Sequence, residues 1–377
     1  MASSALITGA SPPSLLESAV ASGTAMADIG LRTVAATLVA ATLAPFAVSR
    51  HALAGEAEQL EFYASMAAAG DAAAVFRAPP QGVPVRVRRI QPLPLLGAAG
   101  RVDRLSFESP FEALNPAVRD AFATHRRNSI ARAEHWRHTD GPRPTIIVIH
   151  GFMASPYLVN SAFFSLPWFF GHGCDVLLVT LPFHGARASR LSPYSGYGLF
   201  AYGMAHVNEA ILQAVSDIRV FVGYLLDGGA PRVGVTGISL GGYTTAALAS
   251  SEPRLHFAIP NAAVTELSGL VRTWFPAGQL IGAALAREGL TLADLGRSLA
   301  VHSALTYQPV IPHDRLFIIG GLGDRLAPPA QSLQLWAHWD RCRLHWYPGN
   351  HVVHVNRGDY LREMGRFLHN TGFSDIA

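Results

Sequence analysis

From Thr145 onward the chain alternates short, unbroken apolar runs with longer mixed segments. Thr145-Ile146-Ile147-Val148-Ile149, set off by Pro142 and Pro144, has no charged position, as expected of a strand buried on both faces. Five further runs follow: Val176–Val179, Arg232–Val235, His256–Ile259, Leu316–Ile319 and Arg343–Tyr347. The segments between them are long enough for crossover helices, so the pattern predicts a mostly parallel α/β sheet covered on both faces. Upstream, Val83–Arg89 and Arg101–Phe107 read as antiparallel strands joined by a Pro-rich turn over Gln91–Gly100. Leu60, Tyr63 and Ala67 fall at helical spacing and predict a helix over Glu56–Ala69. Leu267–Arg272, Gln279–Arg287 and Leu292–Ser303 give short helical patterns punctuated by Pro276 and Gly289. Residues 1–25, rich in Ala, Ser and Pro, are expected to lack fixed order, with a helical extension over 26–80.

The residues with useful chemistry fall just after the ends of the runs. Gly237-Ile238-Ser239-Leu240-Gly241-Gly242 follows Val233-Gly234-Val235 and precedes an Ala- and Leu-rich helix over Tyr243–Ser250. A sharp strand-to-helix turn of this kind exposes the hydroxyl of its central serine, and glycines two positions either side avoid crowding the neighbouring strand or helix. His150-Gly151-Phe152 closes the first run, Pro182-Phe183-His184-Gly185 follows the second, Gly320-Gly321-Leu322-Gly323-Asp324 the fifth and Pro348-Gly349-Asn350-His351 the sixth. In an open parallel sheet this edge is where ligands bind.

Over roughly residues 85–370 this arrangement resembles the α/β-hydrolase superfamily, in its serine esterase and lipase-like branch, with the chain order serine, acid, histidine. The resemblance implies Ser239 as nucleophile, Asp324 as acid and His351 as base. It implies an oxyanion hole from the backbone N–H groups of Leu240 and Phe152, and a helical cap inserted at about 263–313 in a hydrolase domain over 81–377. Asn350 is a departure, since many members carry glycine there. Trp274 and Phe275 in the cap, with Leu280, and Met153 beside the oxyanion loop are candidate substrate contacts.

Rival assignments follow from the same residues. Glu266 is a second candidate acid, although Thr265-Glu266 equally suits a helix start. His354 is a second candidate base, expected on the first turn of the last helix. His150 is expected to pack or hydrogen-bond within its loop. His184 and Arg187 read either as lining the site entrance or as solvated loop residues.

Composition limits the alternatives. Half of the 377 residues are hydrophobic, enough for a large core. The net charge of +3 is carried by arginine alone, for the chain has no lysine. A basic stretch, Arg126-Arg127 and Arg132–His138, has no nucleic-acid signature beside it and reads as a solvated helix face. Cys174 and Cys342, at strand edges, read as buried small apolar residues. No metal-ligand spacing or phosphate-binding glycine pattern occurs, so neither metal nor cofactor is implied. Thr33–Ser49 is uncharged between Arg32 and Arg50 and leaves three roles open. It suits a docking or interfacial helix, a membrane anchor, or a signal peptide beginning at Met26 and cleaved at Ala52-Leu53-Ala54. A cytoplasmic location is favoured, with membrane association or export through this segment as the alternatives.

The expected function is hydrolysis of a carboxylic ester, with a hydrophobic small-molecule substrate. Thioesters, lactones, polyesters, perhydrolysis and C–C hydrolysis suit the same three residues. The alternative is a catalytically silent protein of this fold that binds a hydrophobic ligand or a membrane surface.

Overall fold

A computed structural model describes residues 15–49, 53, 55–90, 100–154 and 165–374, with side chains from residue 22 onward. Nine strands form one sheet: β1 (Arg86–Ile90), β2 (Gly100–Glu108), β3 (Ile130–His138), β4 (Thr145–Ile149), β5 (Asp175–Thr180), β6 (Val233–Ile238), β7 (Ala258–Asn261), β8 (Phe317–Gly321) and β9 (Arg343–Tyr347). They lie in the order β1-β2-β3-β5-β4-β6-β7-β8-β9. The first three pair antiparallel, β3 meets β5 antiparallel, and every later pairing is parallel. The chain reverses its direction of travel at β4, which has β5 on one side and β6 on the other. A reversal of this kind opens a crevice at the carboxyl ends of the strands.

Alternation along the central strands divides the core. Ile147, Ile149, Leu177 and Val179 belong to the cluster on one face, which includes the long helix Met204–Asp227. Ile146, Val148, Val176 and Leu178 belong to the other, which receives Tyr360, Met364, Phe367 and Leu368 of the last helix, Arg357–Asn370. Successive side chains of a strand point to opposite faces, so a run without polar interruption needs cover on both. Cys174 and Cys342 are buried.

Two readings of the amino-acid pattern are corrected here. Arg132–His138 is not a solvated helix face but most of β3, whose charges meet partners on its neighbours. Glu134 pairs with Arg104 at 3.2 Å, Arg137 with Asp103 at 4.0 Å and His138 with Asp175 at 2.8 Å. The second concerns the N-terminus. A helix runs over Leu15–Val48, so residues 15–25 of the segment expected to lack order are its first turns. Residues 1–14, the turn over 91–99, and Ala52 and Ala54 of the expected cleavage site lie outside the described residues. The helix over Glu56–Ala69 forms as expected and buries Leu60, Tyr63 and Ala67.

The N-terminal helix buries Ala25, Asp28, Ala35, Ala36, Val39, Leu43 and Ala47 at spacings of three, four and seven, with Ala36 beside Ala35, the repeat of one helical face. Met26, Ile29, Leu31, Val34 and Val48 are exposed. Over Ser22–Val48 it is long and apolar enough to cross a membrane by length and composition, and 33% of its most apolar window is buried against the rest of the chain. Between β7 and β8 come three helices, Leu267–Thr273, Ala277–Arg287 and Leu292–Leu299. The cluster formed by Ala36, Val39, Leu43 and Ala277 joins the second of these to the N-terminal helix.

Candidate active site

Ser239 stands between β6 and the helix Leu240–Ala249 at φ 58°, ψ −118°, a strained backbone position for a non-glycine residue. Surrounding contacts hold it there. Its N–H donates to the Asn261 carbonyl at 3.0 Å, and its own carbonyl accepts from Tyr243 N–H at 2.9 Å. Close approach of backbone to backbone explains the flanking glycines. A Cβ on Gly241 would stand 2.1 Å from the Ile149 carbonyl oxygen, and one on Gly237 2.5 Å from the Gly241 oxygen. Gly241→Ala is therefore expected to push the helix off β4, at a cost of about 1–3 kcal/mol or more. Urea unfolding followed by circular dichroism checks this; an unchanged midpoint would show that the turn tolerates the methyl group.

The loops that carry Asp324 and His351 are tied to each other. Leu322 N–H donates to the Tyr347 carbonyl at 3.1 Å and Gly323 N–H to Gly349 at 2.7 Å. Asp324 is fully buried. Its Oδ1 accepts from the N–H groups of Leu326 at 2.9 Å and Ala327 at 2.7 Å. Oδ2 receives His351 Nδ1 at 2.7 Å. Asn350 shapes the base turn, its Oδ1 accepting from Val352 N–H at 3.0 Å and Val353 N–H at 2.6 Å. That gives the asparagine, where the superfamily often has glycine, a structural use.

Burial works against a charged His351. The neighbouring charge of Asp324, its hydrogen bond and the charge of Asp28 together outweigh this, and the pKa stands above the ordinary imidazole value of 6.5. With Nδ1 donating to the carboxylate, the neutral ring carries an unprotonated Nε2. Neither Ser239 Oγ nor His351 Nε2 has a hydrogen-bond partner among the described residues. The structure brings Asp324 and His351 together and records no bond from that pair to Ser239.

The remaining candidates separate clearly. Glu266 stands at the N-terminal cap position of the helix Leu267–Thr273 without a capping hydrogen bond from its side chain, and accepts from Ser268 Oγ at 2.8 Å. His354 precedes the last helix instead of lying on its first turn. It bridges to Gly349, its ring centroid is 4.3 Å from that of Tyr347, and burial lowers its pKa to about 4. His150 packs inside its loop, with Nε2 accepting from Leu181 N–H at 3.1 Å and Nδ1 set 2.9 Å from the Gly151 carbonyl. His184 and Arg187 are neither solvated nor at an entrance. Both are buried, and Arg187 pairs with Asp217 at 2.8 Å.

A cavity of about 100 Å³ adjoins the nucleophile candidate. Ser239, Leu240, Phe152 and Trp274 are in its wall, and among the described residues every lining side chain besides Ser239 is aliphatic, aromatic or a methionine. Val39 of the N-terminal helix lines it, as do Leu267, Leu270 and Ile281 from the helices between β7 and β8. Phe275 is 66% exposed and lies outside the wall. Met153, at φ 61° in the turn after Phe152, is outside it too, and Leu280 packs against Leu53 and Ala284. The backbone N–H groups of Phe152 and Leu240 have no acceptor among the described residues. A Cβ on Gly151 would lie 3.3 Å from that of Ser239, so the loop after β4 abuts the turn after β6.

The architecture is the α/β-hydrolase fold, and solved structures share it. An acetyl xylan esterase from Paenibacillus sp. R4 superposes with a TM-score of 0.56 at 14% identity, covering 79% of this chain and 92% of that one. Acetyl xylan esterase 1 from Thermoanaerobacterium sp. JW/SL YS485 gives 0.54 at 15% identity, covering 83% and 94%. By sequence the chain is 27% identical over 333 residues to uncharacterized proteins from two strains of Mycobacterium tuberculosis, spanning 84% of this chain and 74% of theirs. No family model matches.

Proposed function

We propose that the protein is a serine hydrolase that cleaves a carboxylic ester with an apolar acyl or alcohol part, through an acyl-enzyme. One observation carries the reading: Ser239, on a strained turn, offers the sole hydroxyl among the described residues that wall an apolar cavity. The Asp324–His351 pair at the ends of β8 and β9 supplies the base such a serine needs. The two acetyl xylan esterases that share the fold agree with this, although identities of 14% and 15% speak for the fold and not the substrate.

In the proposed reaction His351 Nε2 takes the Ser239 proton as Oγ bonds to the ester carbonyl carbon. Hydrogen bonds in unliganded sites are often long and tighten only with substrate, so the open Oγ suits a resting enzyme. The oxyanion accepts from the N–H groups of Leu240 and Phe152, a term of about 2.7–4 kcal/mol per donor. Collapse breaks the bond to the leaving oxygen, which takes the proton back from Nε2. Water then attacks the acyl-enzyme by the same route and frees the acid. Asp324 stays ionised, orienting the ring and favouring the imidazolium.

A series of p-nitrophenyl esters tests the reading. The expected result is kcat/KM rising from acetate toward longer acyl chains as the apolar wall fills; a preference for acetate would overturn the hydrophobic substrate class. Acidity gives a second prediction. Only the neutral ring can act as base, so kcat/KM should fall as pH drops through the raised pKa of His351, with its half-maximum above 6.5. A pH–rate profile half-maximal below that value would contradict the assignment of the base.

A further inference from the structure

Between Ser22 and Val48 the only charged residues are Asp28 and Arg32. Asp28 is on the buried face of the helix, 1% exposed. Its Oδ2 accepts from the N–H of Arg325 at 2.9 Å and from the N–H of His351 at 2.9 Å. One amide belongs to the residue beside the candidate acid and the other to the candidate base, on loops that follow different strands. Nearby, Asn350 Nδ2 donates to the Thr24 carbonyl at 2.7 Å and Arg32 Nη1 to the Arg325 carbonyl at 3.3 Å.

Docking the helix does not require a carboxylate. Ala35, Ala36, Val39 and Leu43 already provide an apolar seat, and burying a carboxyl group costs free energy unless hydrogen bonds offset it. Burial raises the pKa of Asp28, the two backbone donors oppose that rise, and the nearby charge of Asp324 adds to it. Two carboxylates so close are unfavourable unless something specific is gained. What Asp28 gains is a single oxygen shared by the acid loop and the base loop.

Resting on the serine hydrolase reading, we propose that Asp28 is a positioning residue, which fixes the acid and base loops relative to each other and makes the N-terminal helix part of the active site. Val39, two turns of helix to a first approximation beyond it plus a further turn, reaches the cavity wall, so the same helix also bounds the substrate space.

Comparison of Asp28→Ala with Asp28→Asn in the full chain tests this. Asn keeps a carbonyl oxygen able to accept from both amides, whereas Ala does not. The alanine variant is expected to lose about 100-fold in kcat, as misplaced catalytic groups do, with KM little changed because the cavity wall is untouched. The asparagine variant should retain most of the rate. Proton NMR supplies a readout that does not depend on turnover: the low-field Nδ1 proton of His351, held by Asp324, should persist in the wild type and Asp28→Asn and vanish in Asp28→Ala. Wild-type kcat together with the low-field proton in Asp28→Ala would overturn the proposal, as would equal losses in both variants. If Asp28→Ala does not fold, amide exchange in the wild-type protein decides: slow exchange at His351 and Arg325 is expected, and exchange as fast as in exposed loops would overturn it. A wild-type protein that hydrolyses no ester would defeat the hydrolase reading, while the NMR comparison would still decide the role of Asp28.

Discussion

Ser239→Ala is expected to abolish ester turnover, lowering kcat by about 10⁴- to 10⁶-fold, as removal of a serine nucleophile does in other triads. Stability should hardly change, within about 0.5 kcal/mol. The reason lies in the local structure. Ser239 Oγ makes no hydrogen bond among the described residues, and the strained backbone is held through the main chain by Asn261 and Tyr243. Alanine keeps the same Cβ at φ 58°, so the turn bears the same strain with and without the hydroxyl. Paired measurements of kcat and of a thermal melt separate the two effects. A variant that kept its rate would remove Ser239 from the chemistry, whereas one that lost both rate and fold would show the serine to be structural.

The second large effect is expected at Asp324→Asn, with a loss of about 10⁴-fold in kcat. Asp324 Oδ1 accepts from two N–H groups and Oδ2 receives His351 Nδ1. An amide in that place can keep its oxygen on the two backbone donors, which turns its NH₂ toward the ring. His351 Nδ1 would then have to accept, the proton would move to Nε2, and the tautomer able to take a proton from serine would be lost. Glu266 offers no rescue, since its carboxylate is engaged with Ser268 at the start of another helix. Single-turnover kinetics at fixed pH checks the prediction. A rate within a few-fold of wild type would move the acid elsewhere.

How far the sequence reveals this site depends on whether the signal is local. The run at β4 gives its strand residue for residue, because a strand covered on both faces needs an unbroken apolar stretch. Arg343–Tyr347 also matches β9, an edge strand that is only partly buried. The serine turn shows itself through its glycines, which the structure requires for close approach to Ile149. β3 is hidden, since Arg132, Glu134 and Arg137 break its apolar alternation, and the partners of Glu134 and Arg137 lie on β2. His184 and Arg187 look solvated for the same reason: the groups that surround them come from distant parts of the chain. Asp28 is the extreme case, 323 residues from the base whose amide it holds. Its one local sign is an acid inside an apolar helix, on the face that carries Ala25, Ala35 and Val39. In the cavity wall, Trp274 is legible from its place in an apolar insertion, but the choice between Trp274 and Phe275 depends on the turn between the helices Leu267–Thr273 and Ala277–Arg287, which leaves Phe275 66% exposed.

A Ser239 nucleophile served by His351 and Asp324 should bond covalently to a phosphonylating reagent. Labelling the purified, folded protein with a fluorophosphonate, followed by intact mass and peptide mapping, tests it most directly. The expected result is one adduct per chain, located on Ser239 and absent from Ser239→Ala and His351→Ala. A folded protein that takes up no label, or takes it up on another residue, would contradict the claim and favour a silent protein of this fold that holds a hydrophobic ligand in the same cavity.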